Sequence, residues 1–136
     1  MINVTLPQRG ADDWGSGAFA ASRGRRTHKG IDYACYPGTI VKSPVAGLVT
    51  RIGYPYGDDL SYRYVEVTTP DGMRHRIFYI EPLVNHGDII RHGSPIGEAQ
   101  DIASRYEDPA KRPMTNHIHF EILDGDTPIN PDEYFG

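Results

Sequence analysis

The sequence predicts a mostly-β fold in a single domain, and three observations carry that expectation. Glycine and proline are abundant, 15 and 11 among 136 residues, which suits short strands joined by tight turns. Short runs rich in Val, Ile, Thr and Tyr recur along the chain. One of them, Tyr62 to Thr68, alternates with period two, meets the turn Pro70-Asp71-Gly72, and precedes a second run from Arg74 to Ile80. That pair is the clearest hairpin in the chain.

In order, Ile2 to Leu6 reads as an edge strand and is followed by a long loop through Trp14, Gly15 and Gly17. Ile31 to Cys35, Thr39 to Val41 and Gly47 to Ile52 are β-type runs divided by Pro37-Gly38 and Ser43-Pro44. Beyond the hairpin, Gly87 to Ile90 and Ser94 to Gly97 read as a second, turn-rich pair. Asp101 to Glu107 is the one expected helix, a short one inside the loop-like segment from Glu98 to Asn116. His117 to Leu123 is a strong final strand, Asp124-Gly125-Asp126 turns, and Pro131 to Phe135 closes the chain. No repeat or linker divides residues 1–136, so one domain is expected.

Composition narrows the function. With 38% hydrophobic and 24% charged residues the chain is of ordinary globular type. A net charge of −4 argues against nucleic acid as a partner. The cluster Arg23, Arg25, Arg26 reads as a solvated loop face. A single cysteine, Cys35, excludes an internal disulfide and a cysteine-rich zinc knuckle, and its apolar setting makes it a small buried hydrophobe. The first ten residues hold no basic start followed by an apolar run, so no signal peptide is expected. No stretch approaches the ~20 apolar residues of a membrane span, so no membrane insertion is expected.

The chemistry-bearing residues fall in two places. In Asn116-His117-Ile118-His119-Phe120-Glu121, the two imidazoles share one face of a β-type run, about 6–7 Å apart. Ile118 and Phe120 turn the other way, into the core. In His28-Lys29-Gly30-Ile31-Asp32, a straight strand would hold His28 and Asp32 about 13 Å apart. That is too far for one ion at ~2.1 Å per ligand, so a bend is required, and Gly30 sits where one can form. Two imidazoles and a carboxylate leave one tetrahedral position for water, as catalytic zinc sites require. A satisfied core histidine and a capping aspartate are the bland alternative.

With these motifs on the page, the chain resembles the lysostaphin-like (LytM-type) zinc endopeptidases that cut peptide cross-links in bacterial peptidoglycan. The resemblance runs from about Trp14 to Phe135. Arg26 to Tyr33 is similar to the family's first motif, and Pro37 to Val41 with Ser43 to Val49 to the strand pair after it. Val84, Gly87-Asp88, Gly93 and Ile96-Gly97 resemble its turn pattern, His117 to Glu121 its closing motif, and Asn130-Pro131 with Tyr134 its domain end. The resemblance implies one zinc ion on His28, Asp32 and His119, a catalytic role for His117, and a peptidoglycan peptide as partner. It also implies an all-β, mainly antiparallel domain, a two-layer or barrel-like sheet, with the metal in a groove walled by loops.

One departure stands out. The family's Tyr-x-His-Leu pattern is here Tyr79-Ile80-Glu81-Pro82, so Glu81 replaces a second catalytic histidine. Glu81 then acts as general base, or ligates zinc and closes its open position, or faces solvent and leaves His117 alone. His75 lies about 20 Å upstream on an extended strand, too far to substitute, and His86 and His92 fall in turns. The Glu98–Asn116 segment, with Arg105, Tyr106 and Lys111, is expected to wall the substrate groove on one side, and the Tyr54–Tyr62 loop on another. Two functions follow: a peptidoglycan endopeptidase, released by other means as in phage lysis, or a non-catalytic zinc-binding module for peptide or glycan. A third, phosphoryl transfer between facing histidines, fits His28 and Asp32 less well.

Overall fold

The computed structural model describes residues 6–12, 15–16, 22–23, 26–27 and 30–135. The expected strand from Ile2 falls outside the described residues except for Leu6, as do Trp14, Gly17, His28 and the side chains of Arg23, Arg25 and Arg26. Two short antiparallel pairs come first: β1 (Ala11–Asp12) with β2 (Gly15–Ser16), and β3 (Ser22–Arg23) with β4 (Arg26–Thr27). Then follow β5 (Ile31–Ala34), β6 (Ile40–Lys42), β7 (Gly47–Gly53), β8 (Tyr64–Thr68) and β9 (Arg74–Phe78). The chain continues through β10 (Ile80–Pro82), β11 (Ile89–Ile90), β12 (Pro95–Ala99), β13 (His117–Asp124) and β14 (Thr127–Ile129).

Among the described residues the main sheet has the order β11-β7-β8-β9-β13-β14, with β5 also paired to β13, and a second sheet has the order β10-β12-β6. The pairings in both are antiparallel. The all-β, two-layer expectation therefore holds. One core lies between the sheets: Val49, Val65, Val67, Ile77, Ile118, Phe120 and Ile122 from the first meet Val41, Ile80 and Ile96 from the second. Period-two alternation explains this, because every second residue of each strand points to the same face.

The β8–β9 hairpin forms as expected, with Val65 opposite Ile77 and Val67 opposite His75. The second run does not continue to Ile80, however. Tyr79 adopts φ 70°, the left-handed region that L side chains avoid at a cost of about 1 kcal/mol or more. Its N–H donates to the Arg63 carbonyl and its carbonyl accepts from Gln100 N–H, both at 2.8 Å. The chain thus steps from the first sheet to the second at this one residue. Nor do the runs around Ile89 and Ser94 pair with each other: β11 joins β7, and β12 joins β10 and β6.

The expected helix at Asp101–Glu107 shrinks to a single 3₁₀ turn, Ala103–Arg105, with Ser104 N–H bonded to the Asp101 carboxylate. The α-helix lies instead at α1 (Pro131–Phe135). There Asn130 caps and Pro131 opens the first turn, where its missing N–H costs nothing.

Candidate metal and peptidase site

Strand β13 builds the site. Ile118, Phe120 and Ile122 are fully buried in the core, so His117, His119 and Glu121 are directed to the opposite face. The β5–β13 register sets Asp32 directly across from His119. Gly30 permits this approach, because a Cβ there would lie 2.1 Å from the Phe120 carbonyl oxygen. Its φ is not in the left-handed region. Close approach to the neighbouring strand, rather than an unusual φ, is therefore what demands glycine here.

His119 Nδ1 stands 2.8 Å from Asp32 Oδ1, and its Nε2–H donates to Glu121 Oε1 at 2.9 Å. Burial works against charge on this ring, but the hydrogen bonds to Asp32 and Glu121 outweigh it and push its pKa up to about 9. His117 behaves oppositely: burial holds its pKa below the usual imidazole range. Its Nδ1–H donates to the Thr115 carbonyl at 2.8 Å, which leaves Nε2 as the unprotonated nitrogen, 3.5 Å from Asp32 Oδ2.

Sequence reasoning missed Arg9. Residues 7–9 run along the outer edge of β5, with Arg9 N–H bonded to the Asp32 carbonyl and Ala34 N–H to the Pro7 carbonyl. The buried Arg9 guanidinium then donates to Asp32 Oδ2 at 3.0 Å and to both oxygens of Asp12 at 2.7 and 3.1 Å. Asp12 in turn accepts the Thr115 N–H at 3.1 Å. Desolvation opposes the Arg9 charge, and its contacts with Asp12 and Asp32 raise its pKa regardless. One buried pair thus grips both Asp32 and the residue that orients His117. No local pattern in the sequence marks it.

Glu81, expected beside this cluster, is exposed on β10 and makes no hydrogen bond to Asp32, His117 or His119. The ring beside His117 belongs to Tyr79, edge-on at 5.7 Å between centroids. The phenol of Tyr79 lies 3.3 Å from that of Tyr56, which lies 2.7 Å from that of Tyr106. Arg105 stacks over the Tyr56 ring at 3.6 Å and pairs with Asp58 at 3.1 Å. The Tyr54–Tyr62 and Glu98–Asn116 segments, expected as separate walls, are therefore one joined wall. Tyr106, Lys111, Arg112 and Pro113 line a groove of about 580 Å³ in it.

His75 is fully buried against Phe120 and Tyr134, far in role from the cluster, and His86 and His92 are exposed in turns. Cys35 is half-buried against the core rather than fully enclosed, and burial pushes its thiol up to about 11.

No group of three or more His, Cys, Asp or Glu side chains arranged to hold an ion occurs among the described residues, and His28 is not among them. The described donors nonetheless fit a cation. His119 and Asp32, with Nδ1 and Oδ1 2.8 Å apart, are two donors that could hold a cation together. Two donors of one tetrahedral zinc are roughly 3.4 Å apart at ~2.1 Å per bond, so the pair at 2.8 Å would need to open by about 0.6 Å. Glu121 on the far nitrogen of His119 is the outer partner that metal-bound imidazoles keep.

A two-sheet antiparallel domain with His-x-His on a central strand, facing an aspartate on the next, is a metallopeptidase-type scaffold. The sequence model of peptidase family M23 matches residues 26–131, and the chain belongs to that family. The catalytic domain of the prophage-encoded M23 protein EnpA from Enterococcus faecalis is similar in structure, with TM-score 0.71 and 19% identity over 100% of this chain and 96% of that one. The antimicrobial peptidase lysostaphin from Staphylococcus simulans aligns with TM-score 0.68 and 19% identity, over 95% of this chain and 48% of that one. In sequence, the chain is 28% identical over 120 residues to leukocyte cell-derived chemotaxin-2 of Mus musculus, covering 88% of this chain and 76% of the relative.

Proposed function

We propose that this domain is a zinc-dependent endopeptidase acting on the peptide cross-links of bacterial peptidoglycan. The observation that carries the reading is His117: a neutral, buried imidazole whose Nδ1–H is committed to Thr115, with Nε2 turned toward the Asp32–His119 pair. A ring in that tautomer is ready to accept a proton from an attacking water and to return it to the leaving amine. His28, Asp32 and His119 would hold the zinc, which when bound supplies a Lewis acid and a more acidic water. Arg9 holds Asp32 through Oδ2, and Glu121 holds the ring of His119, so both side chains would be oriented for that role. The groove along Tyr106 and Lys111 is the proposed seat of the peptide. Membership of the family and likeness to EnpA and lysostaphin support the substrate class.

The test is metal analysis of the purified chain followed by incubation with purified sacculi, with and without chelator. One zinc per chain and release of new amino termini, abolished by chelator and restored by zinc, are expected. Bound zinc with no release would favour the second reading, a zinc-binding module that holds peptide or glycan without cutting it. The exposed Glu81 is the observation on that side.

A further inference from the structure

His117 lies between two hydrogen-bond partners that favour opposite tautomers. A neutral imidazole carries one proton, and the bonds made at its two nitrogens decide which of them holds it. Nδ1 faces the Thr115 carbonyl at 2.8 Å, and a carbonyl only accepts, so this contact draws the proton to Nδ1. Nε2 faces Asp32 Oδ2 at 3.5 Å, a carboxylate oxygen that draws it the other way. In that second tautomer Nε2 would be a donor directed at Asp32, with no lone pair for an incoming proton.

One ion pair acts at both ends of the ring. At the Nε2 end, Arg9 donates to Asp32 Oδ2 at 3.0 Å and weakens the claim of that oxygen on the imidazole. At the Nδ1 end, Asp12 Oδ2 accepts the Thr115 N–H at 3.1 Å, while the Asn116 carbonyl accepts from Cys35 N–H at 3.1 Å. These two bonds flank the Thr115 carbonyl and aim it at the ring. Asp12 is held to Arg9 by two further bonds, at 2.7 and 3.1 Å. Guanidinium and backbone N–H groups only donate and ionised carboxylates only accept, so each of these bonds has one possible direction. The Arg9 side chain is 2% exposed, so water competes little for them.

We infer that Arg9 and Asp12 are positioning residues that fix His117 in the tautomer with Nδ1 protonated and Nε2 bare. The use of that bare nitrogen, taking a proton from water, rests on the peptidase reading; the tautomer does not. Each bond involves a charged group, so removing Asp12 or Arg9 should shift the tautomer ratio toward Nε2–H by roughly 10-fold.

The test is imidazole nitrogen NMR on the metal-free full chain, above the pH at which the ring takes a second proton, with His117 assigned by its loss in His117→Gln. Wild type is expected to show a protonated Nδ1 and a bare Nε2. Asp12→Ala and Arg9→Met should move both resonances toward the opposite pattern. Asp12→Asn keeps an oxygen for the Thr115 N–H and should stay near wild type. A wild type with the proton on Nε2 overturns the inference. So do unmoved resonances in either variant, even with a lower melting temperature, which is the mark of a purely structural ion pair. On sacculi at saturating zinc, Asp12→Ala should lose kcat with KM held. A wild type that cleaves nothing sinks the peptidase reading and leaves the tautomer result standing.

Discussion

His117 and His119 share one face of one strand, yet their surroundings drive them to opposite charge states. His117 meets desolvation and a backbone carbonyl, whereas His119 is flanked by two carboxylates. Environments that separate two like groups in this way commonly divide their chemical roles. His117→Ala should therefore cost roughly 10²–10⁴-fold in cleavage with zinc content retained, while His119→Ala should lose the zinc itself. Glu81→Ala should leave both unchanged, since its carboxylate reaches none of the cluster. Arg9 is the more sensitive position. Removing one partner of a buried ion pair leaves an uncompensated charge, so Arg9→Met should destabilise the metal-free chain by about 3 kcal/mol in denaturant titration. In chelator competition the same variant should bind zinc roughly 10–100-fold more weakly.

At the level of elements, the sequence was most readable where a strand has one wet and one dry face. The β8–β9 hairpin and the alternation of β13 follow from period two, and His-x-His from the same rule. What escaped was long-range. That Asp32 lies opposite His119 is a matter of register between segments 87 residues apart, and no local pattern states a register. The break at Tyr79 was hidden because its β-type neighbours give no turn signal, and the separate destinations of β11 and β12 depend on which sheet edge each meets. The helix was misplaced because Asp101 to Glu107 has helix formers but only one turn's worth of capping, whereas Asn130-Pro131 is a start signal in plain view. Gly30 does stand at a bend, as expected, and the Phe120 carbonyl is a second reason, invisible in the sequence, that excludes a side chain there. Gly30→Ala should push β5 off β13 and cost at least about 2 kcal/mol in thermal or denaturant unfolding. Zinc binding should weaken with it, since the Asp32–His119 spacing depends on that contact.

For the molecule as a whole, acid and metal are the two levers on stability. His75 is fully buried, facing Thr69, Asp71, Phe120 and Tyr134, and burial lowers its pKa to about 4 despite the pull of Asp71. The unfolded chain, with its histidine near 6.5, binds the proton more readily than the folded one. This contribution is therefore complete above pH ~6.5 and is lost as pH falls toward 4, on the order of 3 kcal/mol in all. The melting temperature should drop through that window, and His75→Gln should flatten the slope. Zinc at about 1,000 times its Kd should add roughly 4 kcal/mol, removed again by chelator. The segment from Pro7 to Arg9 gives the fold one more property. It is laid against β5 by two backbone bonds, and the same stretch delivers the guanidinium that grips Asp32. An intruding peptide strand that displaced it from that edge would carry no such cation, and Asp32 would lose its contact with Arg9.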